Sequence, residues 1–344
     1  MIIKVEGGKV DMIFSNNQRK LMGLLLTEGP LSRKVLASKM KLTNAAITVM
    51  TQSLIEEGLI IELGEIDSGK VGRKETLIDL SGSKYISIGM DIRVNHTNIS
   101  ITDIKGKLLF SKKYSTIESA VEYLQRTLSK DSYFHEIAVL CRGYRGLEVF
   151  DRTVEKVETL MSAAQLPYRI IHNVAALAIL HKFYYPSDAN FLLVKYGPGV
   201  GSAIMTNGVL LSNDRTRSSE FGHMIVDPLK PSTLEELISY STVAEGIDES
   251  EVVEYLVNSR ATLDYIMAKI AFCIVNSHVL LGLDKIIVAG NIFVYDEVFQ
   301  VLKDKIQKYS RFIQNEDLVR IDEYKDKEQK IGSIVALYLH FLDC

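Results

Sequence analysis

The sequence predicts an α/β chain in two parts: an N-terminal winged helix-turn-helix and a two-lobed body. Three observations predict it. Residues 15–62 hold three short helical patterns separated by turn signals. A glycine-rich basic stretch between two strand-like runs follows at 69–74. From Lys84 the chain reads strand, strand, turn, strand, helix, and a second strand cycle opens at Asn190.

The first helix spans Asn17 to Thr27, with Leu21, Leu24 and Leu25 on one face, and Glu28-Gly29-Pro30 stops it. Ser32 caps a second helix, Arg33 to Met40. After Lys41-Leu42, Thr43 or Asn44 caps a third helix running through Glu57, where Gly58 ends it. Ile47, Met50, Leu54 and Ile55 are its expected core face. As a recognition helix it would turn Asn44, Ala45, Ala46, Thr48 and Thr51 toward base edges in the major groove. Small and polar outward residues favour this reading over an ordinary three-helix bundle.

Leu59–Leu63 and Glu75–Leu80 are expected to form a wing. Lys70, Arg73 and Lys74 lie in the loop between them and suit a phosphate backbone or a narrow minor groove. The charge agrees. Residues 15–55 hold six basic residues, Arg33 among them, and one acid, Glu28. Residues 1–74 carry +3 and the remainder −6.

Bulk composition bounds the rest. The 344 residues, 47% hydrophobic and 24% charged, suit two or three domains with sizeable cores. Cys141, Cys273 and Cys344 are far apart, which fits a reducing cytosol and speaks against a disulfide framework or a cysteine zinc site. The N-terminus shows no apolar signal-peptide core. The most apolar stretch, Ile270 to Leu283, is interrupted by Asn276, Ser277 and His278 and reads as too short and too polar to span a bilayer.

In the body, Tyr85–Asp91, Thr97–Asp103 and Leu108–Tyr114 read as strands, a helix follows around Ser115–Ser129, and Ile137–Cys141 is a further strand. The second cycle, FLLVKYGPGVGSAIMTNGVLL, carries an Asn207-Gly208 hairpin turn. Two such openings point to an actin-like ATPase or sugar-kinase architecture, with a ligand between the lobes. The expected divisions are 1–82 for the winged helix, 83–189 completed by 330–344 for the first lobe, and 190–329 for the second.

At this point the residues resemble a family. Gly197-Pro198-Gly199-Val200-Gly201 and SSEFGHMIVDP (218–228) resemble the glycine-rich turn and the Gly-Glu-x-Gly-His stretch of the ROK family of repressors, open reading frames and kinases. IHNVAAL resembles its Glu-Asn-Asp-Ala-Asn-Ala-Ala motif, IIVAGNI its second-lobe glycine motif, and GSIVALYL its returning C-terminal helix. The helix-turn-helix and the Gly-Arg-Lys linker are similar to its xylose- and N-acetylglucosamine-type repressors.

The resemblance implies what is kept and what is lost. The family's catalytic Asp falls on Val174, which can neither take nor give a proton. The first phosphate loop, Asp-Ile-Gly-Gly-Thr in the family, is Asp91-Ile92-Arg93-Val94-Asn95 here, with side chains where glycine lets backbone approach a phosphate. Pro198 removes a donor N–H from the second glycine turn. Asn173, Glu220, His223 and Glu235 match the family's sugar-contacting positions, and Gly143 matches the glycine of a Pro-Gly turn. His223 alone cannot hold the family's four-ligand zinc.

The expectation is therefore a cytoplasmic regulator, a repressor of carbohydrate-metabolism genes, with no catalytic residues, cofactor or metal. Its expected partners are double-stranded DNA with a palindromic operator, a sugar or sugar-derivative effector, and further copies of itself in a homodimer or dimer of dimers, with no membrane. A working sugar kinase, or a regulator whose kinase-like body docks a protein, are the alternatives.

Overall fold

The computed structural model describes residues 14–66, 75–93, 95–128, 134, 136–141, 147–211, 219–227, 229, 231–321 and 328–342. Lys70, Arg73, Lys74 and Gly143 lie outside them.

The N-terminal module forms as its capping residues dictate. Helix α1 (Asn16–Glu28) starts at a capping box in which the Ser15 hydroxyl accepts from Gln18 N–H and the Gln18 side chain accepts from Ser15 N–H. Strand β1 (Leu31–Ser32) leads to α2 (Arg33–Met40), capped by Ser32. Thr43 caps α3 (Asn44–Glu56), its hydroxyl accepting from Ala46 N–H at 3.2 Å. Strands β2 (Ile60–Ile66) and β3 (Glu75–Leu80) pair antiparallel as the wing, and β1 joins them in the order β1-β3-β2.

The body repeats one topology twice. The first sheet comprises β4 (Ile86–Ile92), β5 (Thr97–Asp103), β6 (Leu108–Tyr114), then α4 (Ile117–Thr127), β7 (Ile137–Cys141), α5 (Leu147–Ala163) and β8 (Tyr168–His172). Next come α6 (Asn173–Tyr184), β9 (Phe191–Tyr196), β10 (Val200–Thr206) and β11 (Val209–Leu210). Helices α7 (Leu234–Ile238), α8 (Tyr240–Val243), α9 (Val252–Asn258) and α10 (Arg260–Leu281) follow. The chain ends with β12 (Lys285–Ala289), α11 (Asp296–Tyr309), β13 (Leu318–Ile321) and α12 (Ile331–Phe341). The sheets run β6-β5-β4-β7-β8 and β11-β10-β9-β12-β13, the same third-second-first-fourth-fifth order. In each, the first three strands form an antiparallel meander, and the fourth pairs parallel with the first. A parallel pair needs a crossover, which helices supply. Asn207 and Gly208 both take positive φ in the β10–β11 hairpin, as the Asn-Gly turn requires.

Two compact units result. One holds residues 1–142, 150–171 and 329–344, so the winged helix, the first sheet and α12 cohere. The other holds 143–149 and 172–328. The division falls at 171/172 rather than at 189/190, because α6 packs on β10 and β9 of the second sheet. In the first unit α12 lies against β4 at a glycine pair: a Cβ on Gly89 would stand 2.0 Å from the Gly332 carbonyl carbon. The same helix ends in an aromatic cluster, where His340 stacks on Tyr85 at 5.7 Å and meets Phe14 at 5.5 Å.

In the second unit, the interrupted apolar stretch is part of a 22-residue helix, α10, long and apolar enough by length and composition to cross a membrane. The helix is longer than the expected 270–283 stretch because it begins at Arg260, and it ends at Leu281, before Gly282. One face of α10, including Ile266, Met267, Ile270 and Ile274, is buried in this unit's core.

Candidate functional site

The outward face of α3 differs from the expected one at Thr51, Val49 and Gln52. Ile47, Thr51 and Leu54 are fully buried, one stripe at helical spacing. Thr51 therefore cannot meet bases; its hydroxyl donates to Thr48 O at 3.1 Å and accepts from Arg33 Nε at 2.9 Å. Arg33 is likewise occupied within the module, since its other arm pairs with Glu62 on β2 at 2.7 Å. It braces α2 against α3 and the wing. Asn44, Ala45, Ala46 and Thr48 are exposed, as expected, and so is the capping Thr43. So are Val49 and Gln52, which the sequence reading missed. Val49 lies opposite Ile47 and Thr51 on a helical wheel, and Gln52 lies beside Val49 on the same outward side, which was the available signal.

In the second unit three segments meet around the glycine turn 197–201. Asn173 opens α6, and His172 caps it, its Nδ1 accepting from Val174 N–H at 3.4 Å. Glu220 and His223 bracket a 3₁₀ turn, Phe221–His223, packed on β10. Both side chains are exposed, and His223 Nε2 stands 3.8 Å from Glu220 Oε2. Glu235 lies in α7, half-buried, and its Oε2 accepts from Val200 N–H at 3.2 Å. A Cβ on Gly199 would meet Glu235 Oε1 at 3.1 Å, and one on Gly222 would meet Oε2 at 2.9 Å. The two glycines make room for this carboxylate.

His172 keeps an edge in solvent, yet protein packed round the ring pushes its pKa below the ordinary histidine value. The Glu220 charge pulls it up and Lys195 pulls it down again. The neutral imidazole is the form that can accept from Val174 N–H, so His172 acts as a helix cap.

The positions that the resemblance ties to phosphoryl transfer are packed or bonded within their own units. Val174 is 3% exposed and packs in the core with Ala203, Met205 and Ile287. In the glycine turn, Gly197 N–H is bonded to Gly199 O, Val200 N–H to Glu235, and Pro198 has none. In the first unit, buried Asp91 accepts from Arg93 Nε at 2.7 Å, and Arg93 N–H is bonded to His96 O. The Arg93 guanidinium is held against the Asp91 carboxylate.

The model for the ROK family matches residues 148–339. NagC, a DNA-binding transcriptional dual regulator of Escherichia coli, is 26% identical over 245 residues, 64% of this chain and 60% of its own length. The xylose repressor of Bacillus subtilis is 23% identical over 61% of this chain and 60% of its own length. The matches thus span about three fifths of these relatives. Among solved structures, a ROK family transcriptional regulator homologous to the E. coli Mlc protein shares the fold with a TM-score of 0.75 at 17% identity, over 95% of this chain and 96% of that one. A ROK hexokinase from Thermus thermophilus overlaps 75% of this chain and 99% of its own with a TM-score of 0.59 at 14% identity.

Proposed function

The chain belongs to the ROK family, and from that premise we propose that it is a sequence-specific DNA-binding transcriptional regulator. In this reading it represses carbohydrate-metabolism genes, and its kinase-like body senses a sugar without phosphorylating it. The curated relatives are named as regulators and repressors, which supports the regulatory half.

The observation that carries the reading is α3. It is a capped helix in a winged three-helix module, and its exposed face from Asn44 to Gln52 bears no charged side chain. A helix that reads base edges needs such a face, because carboxylates there would meet phosphates.

Asn173, Glu220, His223 and Glu235 form the proposed effector site. Carboxylates, an amide and an imidazole suit the vicinal hydroxyls of a sugar. The effector acts by binding one conformation of the protein better than another. Two copies present two winged helices to a palindrome. Loss of phosphoryl transfer is proposed on Val174, the committed N–H groups of the glycine turn and the Arg93–Asp91 pair.

The test is capture of genomic DNA fragments by the purified protein, with affinity followed against salt. The reading expects a few palindromic sites whose affinity falls steeply as salt rises. Weak, uniform binding to all fragments would remove it.

A further inference from the structure

We infer that Val49 reads the 5-methyl group of a thymine in the major groove. This rests on the DNA-binding reading above and assigns one base contact within it.

Val49 is 72% exposed, more than any other large apolar side chain among the described residues of the winged-helix module. It does not sit at the edge of the buried stripe. Ile47, Thr51 and Leu54 point into the module, and at about 100° per residue Val49 lies nearly opposite Ile47. Ala45, one turn earlier, shares this outward line, and Gln52 continues it. A lone exposed valine elsewhere on a protein surface would carry no meaning. This one occupies the centre of the face that enters the groove.

The chemistry narrows the reading. Valine in a helix has a nearly fixed χ1, so its two methyl groups are presented without rotamer freedom to lose on binding. It offers no hydrogen bond, which rules out readout of guanine, cytosine or adenine edges. Thymine alone presents a methyl group in the major groove, and apolar side chains contact it. The neighbouring candidate reader, Gln52, already donates from Nε2 to Glu56 Oε1 at 3.0 Å. Val49 has no such competing contact to surrender.

The experiment begins with selection of binding sites from a randomised duplex by the full-length protein. Each thymine of the selected site is then replaced by deoxyuridine, which removes only the methyl group. Affinities are measured for the wild type, Val49→Ala and Val49→Thr. Burying one methyl group corresponds to about a fourfold change in affinity. The inference expects one thymine per half-site whose replacement weakens the wild type by about that factor. Val49→Ala should lose a similar factor on the thymine site and nothing more on the deoxyuridine site. Val49→Thr keeps one methyl group in place and should fall between them. Thermal unfolding confirms that the variants fold, as expected for an exposed helical position. Equal sensitivity of wild type and Val49→Ala at every thymine, or no sensitivity at any, overturns this inference and leaves DNA binding intact. No enriched site at all overturns the DNA-binding reading and this contact with it.

Discussion

Val174 Cγ2 lies 2.7 Å from where a Cβ on Gly201 would stand. The valine at the family's proton-acceptor position is packed onto β10, the strand that leaves the glycine turn, and a glycine is required beneath it. The position has become core. Val174→Asp should therefore destabilise the protein by about 3–5 kcal/mol, the range for an uncompensated buried charge. It should not create ATP-dependent sugar phosphorylation. Denaturant unfolding and a phosphorylation assay check both, and a stable, active variant would refute the account of this site.

Ser219 takes φ +66°, a left-handed conformation that costs a non-glycine residue about 1–2 kcal/mol. Its hydroxyl is buried without a hydrogen-bond partner among the described residues. The resemblance places a glycine here. Ser219→Gly should raise stability by about 1 kcal/mol, measured by denaturant unfolding, and the Ser202 hydroxyl keeps its bond to the residue 219 carbonyl. Lower stability would mean the loop holds the serine for a reason not visible in its backbone.

Acid should weaken the second unit through His181, Asp188 and Lys285. Asp188 lies 2.8 Å from His181 Nε2 and 2.7 Å from Lys285 Nζ. Burial pushes the His181 pKa below its ordinary value and outweighs the pull of Asp188. Burial pushes Asp188 up, but bonds from Lys285 and His181 together bring it below its ordinary value. Both groups thus bind protons more readily when unfolded, so stability falls with pH. The histidine contribution is full above about pH 6.5 and is lost as pH drops below it; the Asp188 contribution is lost below about pH 3.9. His181→Asn should flatten the stability curve between about pH 6.5 and 5. An unchanged slope would contradict this.

Gly89→Ala should destabilise the first unit, because the new methyl group would meet the backbone of Gly332 rather than a side chain that can move. Overpacking typically costs about 1–3 kcal/mol, and two backbones leave little room to relax. Thermal unfolding reads it directly, and wild-type stability would mean that α12 does not bear on β4 as described.

Most of the fold was legible because its signals are local. Ser32 and Thr43 mark helix starts, Asn207-Gly208 marks a hairpin, and the strand runs of the first sheet are bounded by turn residues. The inward turn of Thr51 is harder to read from sequence, because its hydroxyl suggests a surface position although its spacing from Ile47 and Leu54 is that of a core stripe. Arg33 carried the wrong expectation for a similar reason: charge suggested phosphate, and only tertiary structure brings Glu62 to it. The commitment of Glu235 to Val200 N–H also depends on segments far apart in the chain.

A sugar held by the second unit is proposed to alter DNA binding. The direct measurement is the affinity of the protein for its captured operator with and without each member of a sugar panel, for the wild type and for Glu220→Ala. The account predicts that one sugar class shifts wild-type affinity and that Glu220→Ala binds the operator normally but loses the shift. A normal sugar response in Glu220→Ala, or no response to any sugar in the wild type, would contradict it.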